Sequence, residues 1–149
     1  MKCCLGCEEY KDDKKIVLSE NRSKLTFFNP KRDKIRIIKV DGCAIVDNKT
    51  LRCDYLLVPT NKVEIYVELK GSKIKHAVEQ IESTIKLLSY NPQKIKKLCF
   101  VVSTRVPKLT TTIQQLKIKF SKHYNASLIV NNTPDTYDLS QITINKKSR

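Results

Sequence analysis

The stretch Val63–Lys70, VEIYVELK, gives the clearest secondary-structure signal in the chain. Apolar side chains occupy every second position from Val63 onward, which predicts a β-strand with one face turned into a core. A β-branched run at 34–46 and a returning strand at 51–58 precede it, and turn-forming residues separate the successive runs. The three runs together predict an antiparallel meander.

The periodicity changes after Gly71, where apolar residues begin to recur at helical spacing. This spacing predicts an amphipathic helix from Ser72, which serves as the N-cap, to Leu88. The other predicted elements are a helix at 17–28, a buried strand at 98–103, a helix at 110–124, a strand at 127–130 and an edge strand at 137–144. A meander followed by a crossover helix and another strand predicts an α/β fold, with a mixed sheet flanked by helices.

Length and composition favour one soluble domain in the cytoplasm. A chain of 149 residues is close to the usual domain size, and an apolar content of 40% is enough for a core. The sequence shows neither a membrane-spanning apolar run nor a signal peptide, so we expect no membrane partner. We divide the predicted domain into an N-terminal extension (1–33), a catalytic core (34–103) and a C-terminal part with a helix and strands (104–149).

The chain is strongly basic, with a formal net charge of +14. No acidic residue occurs between Glu82 and Asp135, whereas nine Lys or Arg do. A long stretch of one sign attracts polyanions and indicates nucleic acid as the partner, although general lysine enrichment is the alternative. The candidate nucleic-acid contacts are Lys73, Lys94, Lys96, Lys97, Arg105 and Lys108.

Two carboxylates and a lysine fall at the ends of the meander strands. Period two puts Glu68 and Lys70 on one face of their strand, and a hairpin around residues 59–62 brings Asp54 close to Glu68. Carboxylate oxygens are ligands that Mg²⁺ or Mn²⁺ accepts, and such a metal lowers the pKa of bound water. Lys70 would then orient the attacking water or offset charge on the phosphate. The alternative for Glu68 and Lys70 is a solvated strand face.

These residues resemble the PD-(D/E)xK nuclease superfamily, which includes restriction endonucleases and Holliday-junction resolvases. The resemblance rests on Arg52–Leu57 (RCDYLL), on Val67–Gly71 (VELKG), and on Ala77 and Gln80 in the following helix. It covers residues 34–103 and implies a restriction-endonuclease-like core. Cys53 stands where many members have proline.

The resemblance also implies roles for particular residues. It implies metal ligation by Asp54, Glu68 and the carbonyl oxygen of Leu69, catalysis by Lys70, and Gln80 beside the site. Members often carry a glutamate on a helix before the sheet, and Glu20 is the best candidate for it here.

The cysteines raise a separate question. Six cysteines in a chain without a signal peptide favour reduced thiols or metal ligands over disulfides. Cys43 and Cys53 are equidistant from Asn48, so a hairpin centred there makes them cross-strand neighbours. Together with Cys4 and Cys7 they could complete a structural Zn²⁺ site. Buried or free thiols are the alternative that we favour.

The sequence therefore predicts a Mg²⁺-dependent nuclease that acts on DNA, in phage defence, mobile-element or recombination biology. A homodimer is compatible with this function, because small nucleases of this kind often dimerise to cut both strands. The alternative is a catalytically weak nucleic-acid-binding or interaction protein that keeps a nuclease-like fold.

Overall fold

Nine strands and two α-helices make up the computed structural model, which describes residues 4–69, 73–105 and 110–142. In chain order they are β1 (Glu8–Lys11), β2 (Lys15–Glu20), β3 (Ser23–Phe28), β4 (Ile35–Lys39), β5 (Tyr55–Val58), β6 (Glu64–Glu68), α1 (Ile74–Leu88), β7 (Lys97–Ser103), α2 (Thr111–Tyr124), β8 (Ala126–Asn132) and β9 (Asp135–Asp138). A short 3₁₀ turn, Leu139–Gln141, follows β9. Lys70, Ser72 and Lys108 lie outside the described residues.

Six of the strands form one mixed sheet in the order β1-β4-β5-β6-β7-β8. Neighbours from β1 to β6 run antiparallel, whereas β6, β7 and β8 run parallel. Helices α1 and α2 supply the crossovers that parallel neighbours require. The other three strands form a second sheet, β2-β3-β9. The α/β class, the mixed sheet and the antiparallel meander β4-β5-β6 predicted from the sequence are confirmed.

The six-stranded sheet is covered on both faces. One face packs against α1 and α2 through side chains that include Tyr66 and Ile81. The other face packs against β2 and β3 through side chains that include Ile65 and Phe27. Successive side chains of a strand point to opposite faces, so all five residues of β6 are buried. Glu68, at 1% exposure, therefore does not lie on a solvated strand face.

The helix predicted at 17–28 is wrong, because this segment forms the β2–β3 hairpin. Its apolar residues follow period two, which places Ile16, Leu18 and Leu25 in the core under the six-stranded sheet. Asn21 makes the turn with a positive φ of 54°, a conformation that asparagine adopts more readily than most residues. Short strands joined by a turn without glycine or proline gave no clear hairpin signal.

The loop between β4 and β5 is longer than the sequence predicts. The strands predicted at 34–46 and 51–58 are shortened, because side-chain contacts give the intervening residues a structure of their own. Arg52 Nε donates to Asp41 Oδ1 at 2.9 Å, and its guanidinium donates to the carbonyl of Thr50 at 3.0 Å. These bonds replace the ladder that a longer hairpin would have had.

The helices predicted at 72–88 and 110–124 are confirmed to within two residues. The N-cap of α1 is Lys73, and the N-cap of α2 is Thr110, whose side chain accepts a hydrogen bond from the backbone of Ile113. The edge strand predicted at 137–144 is wrong in position. In the structure β9 ends at Asp138 and pairs with β3 in the second sheet.

Residues before the predicted core are part of both sheets. β1 pairs with β4 in the six-stranded sheet, while β2 and β3 belong to the second sheet. In the parts of the chain that the structure describes, neither helix is long and apolar enough to cross a membrane. The domain boundaries and the cytoplasmic location stay predictions.

Candidate active site

The candidate site lies at the carboxyl edge of the six-stranded sheet, which is the edge where β6, β7 and β8 end. Ligand sites of sheets with parallel strands commonly lie at this edge. Glu68 is the last residue of β6, and Asp54 immediately precedes β5, which runs antiparallel to β6. Tyr55 pairs with Val67, and the Asp54 N–H donates to the Val67 carbonyl at 3.0 Å. The register therefore brings Asp54 beside Glu68, as the sequence predicted.

The two carboxyl groups are buried beside each other. Asp54 is 6% exposed and Glu68 is 1% exposed. Asp54 Oδ2 accepts a hydrogen bond from the Leu69 N–H at 2.7 Å. Burial raises the pKa of Asp54 and the charges of Glu20 and Asp41 raise it further, whereas hydrogen bonds from Leu69 and with the Glu68 side chain lower it. Two neighbouring buried carboxyl groups disfavour ionisation of both at once.

Glu20 reaches this edge from the second sheet. It is the last residue of β2, so it stands on a strand and not on the helix that the sequence predicted. The Tyr55 hydroxyl donates to Glu20 Oε1 at 3.2 Å. Burial, together with the nearby Glu20 carboxylate, raises the pKa of Tyr55 to about 12, so this hydroxyl keeps its proton. Tyr55, the first residue of β5, thus connects Glu20 to the strand that begins next to Asp54.

Helix α1 holds the backbone that leads into Asp54. Gln80 Nε2 donates to the Arg52 carbonyl at 3.0 Å. Thr84 Oγ1 accepts from the Cys53 N–H and donates to the Gln80 carbonyl, both at 2.9 Å. Gln80 therefore lies beside the site as the sequence predicted, and its amide binds the main chain. Thr84 was missed, although a polar residue in the buried stripe of an amphipathic helix was an available signal.

Cysteine chemistry at this edge differs from the prediction. Cys7 and Cys43 are joined in a disulfide, with an S–S distance of 2.01 Å. A disulfide sulfur is not a thiolate, so the Zn²⁺ site of Cys4, Cys7, Cys43 and Cys53 is wrong, as is the expectation that all six thiols are reduced. Cys53 is a buried free thiol, and burial raises its pKa. The β4–β5 ladder ends before Cys43 and Cys53, so they are not cross-strand neighbours.

The disulfide restrains the polypeptide on either side of β4. It connects the residue before β1 to the loop after β4, across 36 positions of sequence. Closing a loop of this length stabilises a folded chain by about 3–4 kcal/mol when the unfolded state is otherwise unrestrained. The same loop contains Asp41, whose charge acts on Asp54. The disulfide therefore restrains segments that lie at the carboxyl edge.

The predicted nucleic-acid contacts divide between the two edges of the sheet. Lys73 and Arg105 are exposed at the carboxyl edge, near the ends of β6 and β7. Lys94 and Lys96 precede β7 and lie at the amino edge, the opposite edge, where β6, β7 and β8 begin. The two edges are separated by the four residue steps of β6, about 13 Å. Lys94 and Lys96 are therefore remote from the carboxylates.

Lys97 is a structural residue, so its prediction as a nucleic-acid contact is wrong. It is 0% exposed, and its Nζ donates to the carbonyls of Tyr124 at 2.8 Å, Ile95 at 2.5 Å and Asn91 at 3.2 Å. Burial lowers the pKa of this amine. Lys97 joins the loop before β7 to the end of α2 and has no access to a phosphate.

The donor set at the carboxyl edge fits Mg²⁺ or Mn²⁺. Within residues 4–69, 73–105 and 110–142, no group of three or more His, Cys, Asp or Glu side chains is placed to hold a metal ion. Mg²⁺ usually retains several waters and takes only one or two protein carboxylates. The adjacent carboxyls of Asp54 and Glu68 meet that requirement, and a cation would offset the repulsion between them. Lys70, the lysine of the motif, lies outside the described residues.

The chain matches no protein-family model, no curated protein and no solved structure. The resemblance to PD-(D/E)xK nucleases therefore depends on the motif residues themselves.

Proposed function

We propose that this protein is a Mg²⁺-dependent nuclease that hydrolyses phosphodiester bonds of DNA. The observation that carries the proposal is the burial of Asp54 and Glu68 next to each other, with Glu20 close by, at the carboxyl edge of a mixed sheet. Burying several carboxyl groups together is unfavourable without a cation, and strongly perturbed groups of this kind cluster at functional sites. The element order β4-β5-β6-α1-β7 also agrees with the restriction-endonuclease-like core that the motif implies.

Each residue of the site has a distinct task in this proposal. Asp54 and Glu68 would hold the metal, with the Leu69 carbonyl as the further ligand that the resemblance implies. A bound Mg²⁺ lowers the pKa of water and stabilises negative charge on the phosphate. The Leu69 N–H fixes one oxygen of Asp54, which leaves the carboxylate a defined orientation. Gln80 and Thr84 hold the main chain before Asp54, and Tyr55 holds Glu20.

Cleavage assays with matched variants test the proposal. Plasmid, linear, branched and single-stranded DNA are incubated with the protein in Mg²⁺, in Mn²⁺ and in EDTA. Asp54→Asn and Glu68→Gln keep the side-chain shape and remove a ligand charge. We expect cleavage to fall about a thousandfold, because a metal supplies several kcal/mol and each 1.36 kcal/mol is tenfold in rate. Glu79→Gln, an exposed carboxylate next to Gln80, is the control and should retain activity.

Three outcomes would overturn the nuclease assignment. They are full activity in both Asp54→Asn and Glu68→Gln, cleavage that persists in EDTA, and the absence of cleavage of any substrate by the parent. Salt-dependent DNA binding without cleavage would leave the alternative, a nucleic-acid-binding protein with a nuclease-like fold. Lys70→Ala separates the same two functions, because only a nuclease should lose metal-dependent nicking.

A further inference from the structure

Two exposed arginines lie at the carboxyl edge, each just beyond a strand that ends there. Arg22 is in the β2–β3 turn, two positions after Glu20, and Arg105 is two positions after the end of β7. Both side chains are exposed, and among the described residues neither takes part in an ion pair. Arg22 is therefore a cation next to the candidate site that the motif does not account for.

Hydrogen bonds connect the two arginine-bearing segments through the turn after β8. The Lys24 N–H, next to the hairpin turn, donates to Thr133 Oγ1 at 2.9 Å. The Thr133 N–H in turn donates to the Ser103 carbonyl at 2.9 Å. The Ser103 hydroxyl bonds both the N–H and the carbonyl of Arg105, at 3.2 Å and 3.1 Å. The hairpin turn and the end of β7 therefore form one continuous rim at the carboxyl edge.

We propose that Arg22 and Arg105 form a phosphate clamp that holds the backbone of a DNA duplex across Asp54 and Glu68. The clamp rests on the proposed function and names the residues that bind its substrate. A guanidinium binds phosphate oxygens through two parallel N–H bonds, which orients the backbone as well as attracting it. Acidic side chains repel DNA, so a site built from carboxylates needs cations beside it. The fold places these two arginines there, while Lys94 and Lys96 lie at the amino edge.

The geometry supplies matched controls for the clamp. Arg32 is exposed in the turn after β3, so it stands at the opposite end of the strand that begins next to Arg22. Lys94 and Lys96 provide two charges at the amino edge. Arg22→Gln with Arg105→Gln is therefore compared with Arg32→Gln and with Lys94→Gln plus Lys96→Gln. Each variant is first checked for unchanged thermal unfolding.

Binding of a short fluorescent duplex is measured by anisotropy in EDTA, across a series of salt concentrations. We expect the slope of log affinity against log salt to become shallower by about 1.8 in the Arg22→Gln, Arg105→Gln variant, because each lost phosphate contact removes about 0.9. Arg32→Gln and the lysine pair should retain the parent slope. The clamp would be overturned if the Arg22→Gln, Arg105→Gln variant kept the salt slope of the parent. It would also be overturned if the slope of either control variant became shallower by the same amount.

Cleavage in Mg²⁺ distinguishes failure of the clamp from failure of the nuclease. A parent that cleaves DNA, with an arginine variant that binds like the parent, overturns the clamp alone. A parent that binds through the arginines and does not cleave overturns the nuclease and supports the clamp as a binding device. A parent that does not bind DNA in EDTA overturns the clamp whatever its cleavage activity.

Discussion

Two buried glutamates on one strand have opposite surroundings. Glu64 begins β6 and Glu68 ends it, so they lie on the same face of the sheet, and both are at most 2% exposed. Glu64 accepts hydrogen bonds from the Tyr66 hydroxyl, the Ser89 hydroxyl and the Tyr90 N–H, at 2.9, 2.6 and 2.9 Å. Its carboxylate is solvated by the protein itself, as a structural charge requires.

Glu68 lies in an acidic neighbourhood. Asp54 is its neighbour across the β5–β6 pair, and the charges of Glu20 and Asp41 act on Asp54. Repulsion between such groups opposes folding, whereas the donors around Glu64 favour it. The difference indicates that the amino edge is built for stability. In our proposal, the clustered carboxylates at the carboxyl edge lower the stability of the fold and are placed to bind a cation.

The largest effect on stability that we predict separates these two glutamates. Glu64→Gln places an amide N–H₂ among three donors, and we expect it to lower the free energy of unfolding by about 2 kcal/mol. Glu68→Gln removes a charge from an acidic cluster, and without metal we expect unchanged or higher stability. Urea denaturation measures both.

Adding Mg²⁺ extends this experiment. The parent and Glu64→Gln should both gain stability, because a ligand that binds only the folded state stabilises it, and Glu68→Gln should gain little. A large loss of stability in Glu68→Gln without metal would show that Glu68 is a structural residue like Glu64.

The second prediction concerns pH and Asp54. Burial raises the pKa of Asp54, so the folded state binds its proton more tightly than the unfolded state does. Its ionisation therefore costs stability as pH rises from the ordinary Asp value of about 3.9 through the raised value. Asp54→Asn should be more stable than the parent at neutral pH, and the two should converge below about pH 4. Urea denaturation over a pH series measures the difference.

For Asp47 we predict the opposite dependence of stability on pH, which provides a comparison. Backbone N–H groups of Thr50 and Lys49 lower the pKa of Asp47. Its charge therefore favours folding above the ordinary Asp pKa, and this contribution is lost as pH falls through the lowered value. Asp47→Asn should be less stable than the parent at neutral pH, and the difference should vanish in acid. The same sign for Asp47→Asn and Asp54→Asn would contradict our account of Asp54.

The central fold was predictable because its periodicities are strong. β6 alternates without a break and α1 has an apolar stripe, so the strand, the helix and the position of Glu68 followed from spacing. The placement of Asp54 beside Glu68 followed from the hairpin register. By contrast, the β2–β3 hairpin has short strands and a turn at Asn21 without glycine, so local propensity did not separate it from a helix.

Other features depend on tertiary contacts that spacing does not reveal. Lys97 was expected at the surface because lysine is seldom fully buried, yet two carbonyls of the loop before β7 and one at the end of α2 satisfy its amine. The Cys7–Cys43 bond depends on how β1 pairs with β4, and β1 itself was not predicted. Tyr55 was part of the motif stretch, but its bond to Glu20 required knowing that β2 ends at this edge.

The smallest effect that we predict comes from Tyr55→Phe, which removes only the hydroxyl that bonds Glu20. The ring packs against the core between the two sheets and is retained, so stability should change little. If Glu20 supports the metal site, losing its partner should raise the Mg²⁺ concentration for half-maximal cleavage about tenfold, the usual scale for groups that orient metal ligands. Tyr10→Phe, on exposed β1, should leave that concentration unchanged. Adding Tyr55→Phe to Glu20→Gln should not shift the Mg²⁺ requirement further, because both changes remove the same interaction. If the two changes shift the Mg²⁺ requirement additively, or if Tyr55→Phe lowers stability and leaves the Mg²⁺ requirement unchanged, Tyr55 has a packing role alone.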